Sequence, residues 1–212
     1  MALIHRTTVT PTKLELLAAW LPTRPWYEGG AGAPELAKAG GFRLDDPEGE
    51  VGIEFMVVAD DSGPRPAAYL VPLTYRSAPL PGAGHALVGT MEHGVLGKRW
   101  AYDGCHDPVL VAQLLALVEG RVQAQAQSLS DTPDHDITRS CSRADLPSTA
   151  TATDDEDGTE LLLPDGTALR LHRLPLPGTE APEGAVGHVA GVREAPDGTR
   201  VPVVFATLRP GP

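Results

Sequence analysis

The stretch EVGIEFMVVADDSGPRPAAYLVPLTYRSA, residues 50–78, constrains the fold more than any other part of the chain. Val51, Ile53, Phe55 and Val57 recur with a period of two, and Tyr69, Val71 and Leu73 resume it beyond the turn Asp60-Asp61-Ser62-Gly63-Pro64. That period sends successive side chains to opposite faces of an extended strand, so the stretch predicts a hairpin. Pro72 has no N–H to give to a ladder and predicts an edge position or a bulge. HALVGTMEHGVLGKRWAYDG predicts a second hairpin around residues 92–97, and the two hairpins together a meander of four antiparallel strands.

Helical periods flank this β region. In TPTKLELLAAWLP, Thr12 and Glu15 have capping-box spacing, while Leu14, Leu17, Ala18 and Leu21 share one stripe that Pro22 ends. DPVLVAQLLALVEGRVQAQAQ places apolar side chains at Val109, Leu110, Leu114, Leu115, Leu117, Val118 and Val122. Asp107 is an N-cap type and Pro108 suits the first helical position, so a buried helix opens there. Residues 2–9 end in β-branched side chains and read as a strand. Between the first helix and Glu50 the chain is rich in Gly and Pro around two short apolar patches.

The C-terminal part changes character twice. Residues 128–157 lose periodicity and fill with Ser, Thr, Asp and Pro, a composition that predicts a polar, acidic linker or surface loop. Beyond it, PDGT occurs at 164–167 and again at 196–199, each time between alternating apolar residues. Two hairpins with Asp-Gly tips follow from that repeat. The expected organisation is an α+β domain over 1–127, the linker over 128–157, and a β-hairpin extension over 158–212 that packs on the same domain.

Composition narrows the function. Formal net charge is −11, with no Lys/Arg cluster, whereas nucleic-acid binding needs a basic footprint. No apolar run approaches the roughly 20 residues that span a bilayer. The N-terminus MALIHRTTVT lacks the apolar core of a signal peptide, and only Cys105 and Cys141 occur. A cytoplasmic protein with reduced thiols and no contact with nucleic acid or membrane is expected.

Reactive side chains concentrate in GKRWAYDGCHDP, residues 97–108. A zinc site would enlist His93, Asp103, Cys105 and His106, but adjacent Cys and His lack the paired ligands such sites show, and solvent-facing loop residues are the plainer reading. A nucleophilic thiol at Cys105 lacks the context of known cysteine enzymes and reads instead as a small buried thiol. GGAGAPELAK lacks the Gly-Lys-Ser/Thr of a phosphate loop, and no G-x-S-x-G elbow occurs. The run Asp154-Asp155-Glu156-Asp157 lacks the spaced ligands of a calcium loop and reads as a solvated charge run. No catalytic, metal or cofactor residue is therefore assigned. Pro25-Trp26-Tyr27 either plugs the edge of the sheet or forms a recognition patch. With Trp100 and Tyr102, the rings Trp26 and Tyr27 are the candidate ligand-binding residues, as platforms on which a sugar would stack in a cleft between sheet and helices.

The order of these pieces resembles a known family. WLPTRPWYEGG after a short helix, then YLVPLTYR, HALVGT, RWAYDG and a helix opening CHDPVLVAQLLALV are similar, over roughly residues 10–125, to the N-terminal cap domain of actinobacterial maltokinases and related aminosugar kinases. The resemblance implies a cystatin-like arrangement, a curved antiparallel sheet packed on a helix. It also implies that a bilobal catalytic body should follow, carrying a catalytic-loop aspartate and a metal-binding aspartate. No H-x-D-x-x-x-x-N or D-F-G element occurs here, and residues 128–212 do not match those lobes. The expectation is a stand-alone cap with no catalysis of its own, binding or regulating in α-glucan, maltose or trehalose metabolism through a protein partner or as a homo-oligomer. The alternatives are a subunit of a split sugar kinase using ATP and a small carbohydrate-binding module.

Overall fold

The computed structural model describes residues 8–30, 32–129 and 131–211 of the 212, so most of the strand expected at residues 2–9 lies outside the described residues. Thirteen strands and two helices follow one another among them. They are β1 (Val9–Thr10), α1 (Lys13–Trp20), β2 (Leu36–Leu44), β3 (Gly52–Asp60), β4 (Ala67–Arg76), β5 (Leu87–His93), β6 (Gly97–Asp103), α2 (Pro108–Glu119) and β7 (Gln125–Ala126). The chain continues through β8 (Thr138–Cys141), β9 (Thr151–Asp155), β10 (Gly158–Leu162), β11 (Ala168–Pro177), β12 (Gly187–Glu194) and β13 (Arg200–Arg209). Short 3-10 turns cover 21–23, 84–86 and 104–106. Every strand pair is antiparallel, in two sheets ordered β1-β5-β6-β4-β3-β2-β7 and β8-β12-β13-β11-β10-β9. The architecture is β-rich α+β.

Local chemistry sets the helix ends. The Thr12 hydroxyl accepts from Glu15 N while the Glu15 carboxylate accepts from Thr12 N, a capping box at the start of α1. Pro22 does not stop the chain abruptly, because the last turn tightens into the 3-10 segment. Asp107 caps α2 through Val109 N, Pro108 takes the first position, and Gly120 closes the helix with φ +81.

The four-stranded meander requires correction. β4 pairs with β3 on one side and with β6, not β5, on the other. The connection over 77–86 contains Pro79, Pro81 and Gly82, too long and irregular for a tight hairpin, so it carries the chain one strand further out before β6 returns beside β4. β6 covers only Leu73–Arg76 of β4, which leaves Pro72 at a local edge, as its missing N–H requires.

β2 is a strand that the Gly-rich stretch hides. Its ladder is interrupted by a register shift between Lys38 and Gly40, and Gly41 has φ +128 where a Cβ would lie 2.1 Å from the Phe55 carbonyl oxygen. Likewise, the segment 128–157, expected as a linker or loop, supplies β8 and β9 to the edges of the second sheet. Those edge strands tolerate polar residues because one face meets water. The two Asp-Gly turns are alike: Asp165 and Asp197 each accept from the backbone N–H two residues on, and Gly166 and Gly198 share φ +81.

β3 is buried almost throughout because both of its faces are covered. Ile53, Phe55 and Val57 face a core shared with α2 and with Leu169, Leu171, Val203 and Phe205 of the second sheet. Met56 and Val58 face Leu17, Trp20, Leu21 and Trp26 instead. Phe42 stacks on Phe55 at 4.5 Å and reaches Phe205 at 5.9 Å, so the three phenylalanines of the chain join the two sheets.

His172, half-buried on the opposite face of β11, gives the second sheet a pH signature. Burial, reinforced by Arg170 and Arg209, lowers its pKa from the ordinary 6.5 to about 4. Between those values the unfolded chain binds the extra proton, so stability is complete above 6.5 and is lost as pH falls toward 4. Urea midpoints measured from pH 7 to 4.5 should fall, and His172→Gln should flatten the fall. A slope that the variant leaves unchanged would remove His172 from this role.

Candidate functional site

The four ring side chains expected to line one cleft are not brought together. Trp26 is fully buried, packed edge-on against Trp20 at 5.8 Å and near Tyr69 at 6.0 Å. Tyr27 is half-buried and donates to Asp60 Oδ2 at 2.7 Å, which together with burial pushes its pKa up to about 12. Trp100 and Tyr102 sit in a separate cluster with Ala83 and Ala86, where the buried Tyr102 hydroxyl accepts from Leu80 N at 2.9 Å. A ring whose faces are covered by protein has none left for a sugar, so stacking is open only to the half-buried Tyr27 and Trp100.

Polar chemistry converges elsewhere, where β6 hands over to α2. Asp103 ends β6, Cys105 and His106 follow in the 3-10 turn, and Asp107 starts the helix. Asp107 is committed twice, to the helix cap and to Arg76, whose Nε and Nη2 each donate to it at 2.7 Å. Asp103 is equally committed: Oδ1 accepts from Cys105 N, and Oδ2 from Arg173 Nη2 at 2.6 Å.

Arg173 arrives from β11 of the second sheet. It is fully buried, lies 4.8 Å over the Trp26 ring, donates through Nε to Thr159 at 2.7 Å, and stands 3.4 Å from the Cys105 sulfur. Burial pushes the Cys105 thiol well up, so it stays protonated as a small core residue. His93, the other expected zinc partner, is used locally, accepting from Val95 and Leu96 N.

Asp154 leaves the solvated run to which it was assigned. β9 alternates, so Asp155 faces out to Arg170 while Asp154 turns inward to the Thr159 hydroxyl and lies 3.9 Å from Arg173. His106 Nδ1 lies 3.2 Å from His85 Nε2, and the pair borders a cleft of about 370 Å³ that Cys105, Thr149 and Thr151 also line. Asp103, His106 and Asp154 are the one group among the described residues in which three metal-ligand side chains converge.

Arg173 and Asp154 were missed by sequence reasoning, yet the signal existed for one. Arg173 keeps the phase of Leu169 and Leu171, all three being buried on one face of β11, and a charge in phase with an apolar set announces a buried ion pair. Asp154 gave no such signal, because nothing local separates it from its acidic neighbours.

A two-sheet α+β protein whose buried charges gather where β6 meets α2 defines the class. Residues 20–107, less than half of the chain, are similar to the family described as the maltokinase N-terminal cap domain. No curated protein matches the chain. The match ends at Asp107, so α2 and the whole second sheet lie beyond it. Among the described residues no helix is long and apolar enough to cross a membrane.

Proposed function

We propose that the chain is a non-catalytic binding or regulatory module built on a maltokinase-type cap, acting in α-glucan, maltose or trehalose metabolism through a protein partner or a second copy of itself. A cystatin-like arrangement of the first sheet belongs to this reading. One observation carries it: each of the five buried carboxylates among the described residues is occupied by the fold. Asp46 accepts from the backbone N–H of Glu48, Glu50 and Val51. Glu54 takes Lys13, Tyr75 and Gln127, and Asp60 takes Tyr27, Glu35 N and Ser62 N. Asp103 and Asp107 hold Arg173 and Arg76. A general base must reach a substrate proton, and buried carboxylates that already hold the fold's own donors are poorly placed for that.

The test is a native pull-down with the tagged chain, paired with light scattering of the purified protein. A stoichiometric partner or a defined oligomer is expected. A partnerless monomer that transfers phosphate from ATP·Mg²⁺ to maltose or glucosamine would overturn the reading in favour of the kinase alternative. For the carbohydrate-binding alternative, the informative substitution is Trp100→Ala, because this ring is half-buried and flanked by Lys98 rather than sealed in the core.

A further inference from the structure

Three elements aim ligand-type atoms at one point. Asp103 comes from the end of β6, His106 from the turn after it and Asp154 from β9, and one such atom of each lies within 4.8 Å of the others. Two carboxylates and an imidazole are a donor set for a borderline divalent cation. Sequence spacing could not show it, because Asp154 stands far down the chain from the Asp103–His106 pair.

Each of these side chains is also held from behind. Arg173 grips Asp103 Oδ2, the Thr159 hydroxyl donates to Asp154 Oδ1, and His85 Nε2 meets His106 Nδ1 at 3.2 Å. Outer partners of this kind fix ligand orientation and imidazole tautomer in metal sites.

Charge favours the same conclusion. Two carboxylates against one guanidinium leave a net negative charge at a place where Asp103 and Arg173 are fully buried. Of the three, His106 lines the cleft of about 370 Å³ beside the group.

We propose that Asp103, His106 and Asp154 bind one divalent transition cation of the Zn²⁺ and Mn²⁺ class, with His106 at the edge of the cleft that His85 borders. Ca²⁺, which takes six to eight oxygens, does not suit three ligands of which one is nitrogen. This inference does not depend on the binding-module reading, since a bound cation serves a module and an enzyme alike.

The experiment uses the full chain, stripped with a chelator and titrated calorimetrically with Zn²⁺ and Mn²⁺, and with Co²⁺ followed by its visible absorption. One saturable site is expected, with Co²⁺ bands that Zn²⁺ displaces. His106→Gln and Asp154→Asn should each weaken binding at least about tenfold, and the exposed second partner His85→Gln about 10- to 100-fold. His135→Gln, remote from the group, should change nothing. Circular dichroism of the metal-free variants separates lost ligands from lost fold, and His85→Gln carries the test if the others unfold. Absent saturable binding, or binding equally tight in His106→Gln, Asp154→Asn and His85→Gln, overturns the proposal.

Discussion

Replacing Arg173 by alanine is expected to lower unfolding free energy by about 3–5 kcal/mol, because it strands the Asp103 carboxylate, fully buried, without its counter-charge. The pair also crosses between the sheets, from β6 to β11, so both sheets should loosen. The double variant Asp103→Leu/Arg173→Met should recover much of the loss, since apolar groups of similar volume remove both desolvation penalties. Urea denaturation of the two variants measures this. A single variant within about 1 kcal/mol of the parent would mean that the pair contributes little.

Trp26→Ala should be comparably severe, at about 3–5 kcal/mol, the usual range for deleting a large buried aromatic. The indole is fully enclosed between Trp20, Tyr69 and the Arg173 guanidinium, so the deletion opens a cavity and bares a buried cation. Against a total of about 5–15 kcal/mol the variant would populate the unfolded state appreciably. Were the ring a stacking platform for sugar instead, alanine would leave the denaturation midpoint nearly unchanged and abolish binding. The two outcomes are separated by one melting curve.

Much of the fold was legible wherever local chemistry and periodicity agreed. The capping box of Thr12 and Glu15, the Asp107-Pro108 helix start, the β3–β4 hairpin and both Asp-Gly turns stand where residue types placed them. β2 escaped because Gly40 and Gly41 obscure its pattern while serving a register shift that only pairing with β3 reveals. β8 and β9 escaped because edge strands with exposed faces carry no apolar alternation. The site was half legible: Asp103, Cys105 and His106 stood out as a cluster, but their partners arrive from another sheet. Asp154 and Arg173 reach them through tertiary pairing, which no window of neighbouring residues contains.

The family match stops at Asp107, yet the core that buries Phe55 and α2 runs on to Leu208. The packed unit is therefore the two sheets together rather than the matched segment alone. Trp20, Trp26 and Trp100 all lie within the matched segment, so their fluorescence reports the first sheet and, where Arg173 meets Trp26, its seam with the second, while far-ultraviolet circular dichroism reports both. The most direct measurement is equilibrium urea unfolding followed by both signals on one sample. Coincident transitions with a single midpoint are expected of one cooperative unit. Two separated midpoints, the fluorescence change occurring while half of the β signal persists, would contradict it and make the cap an independent domain.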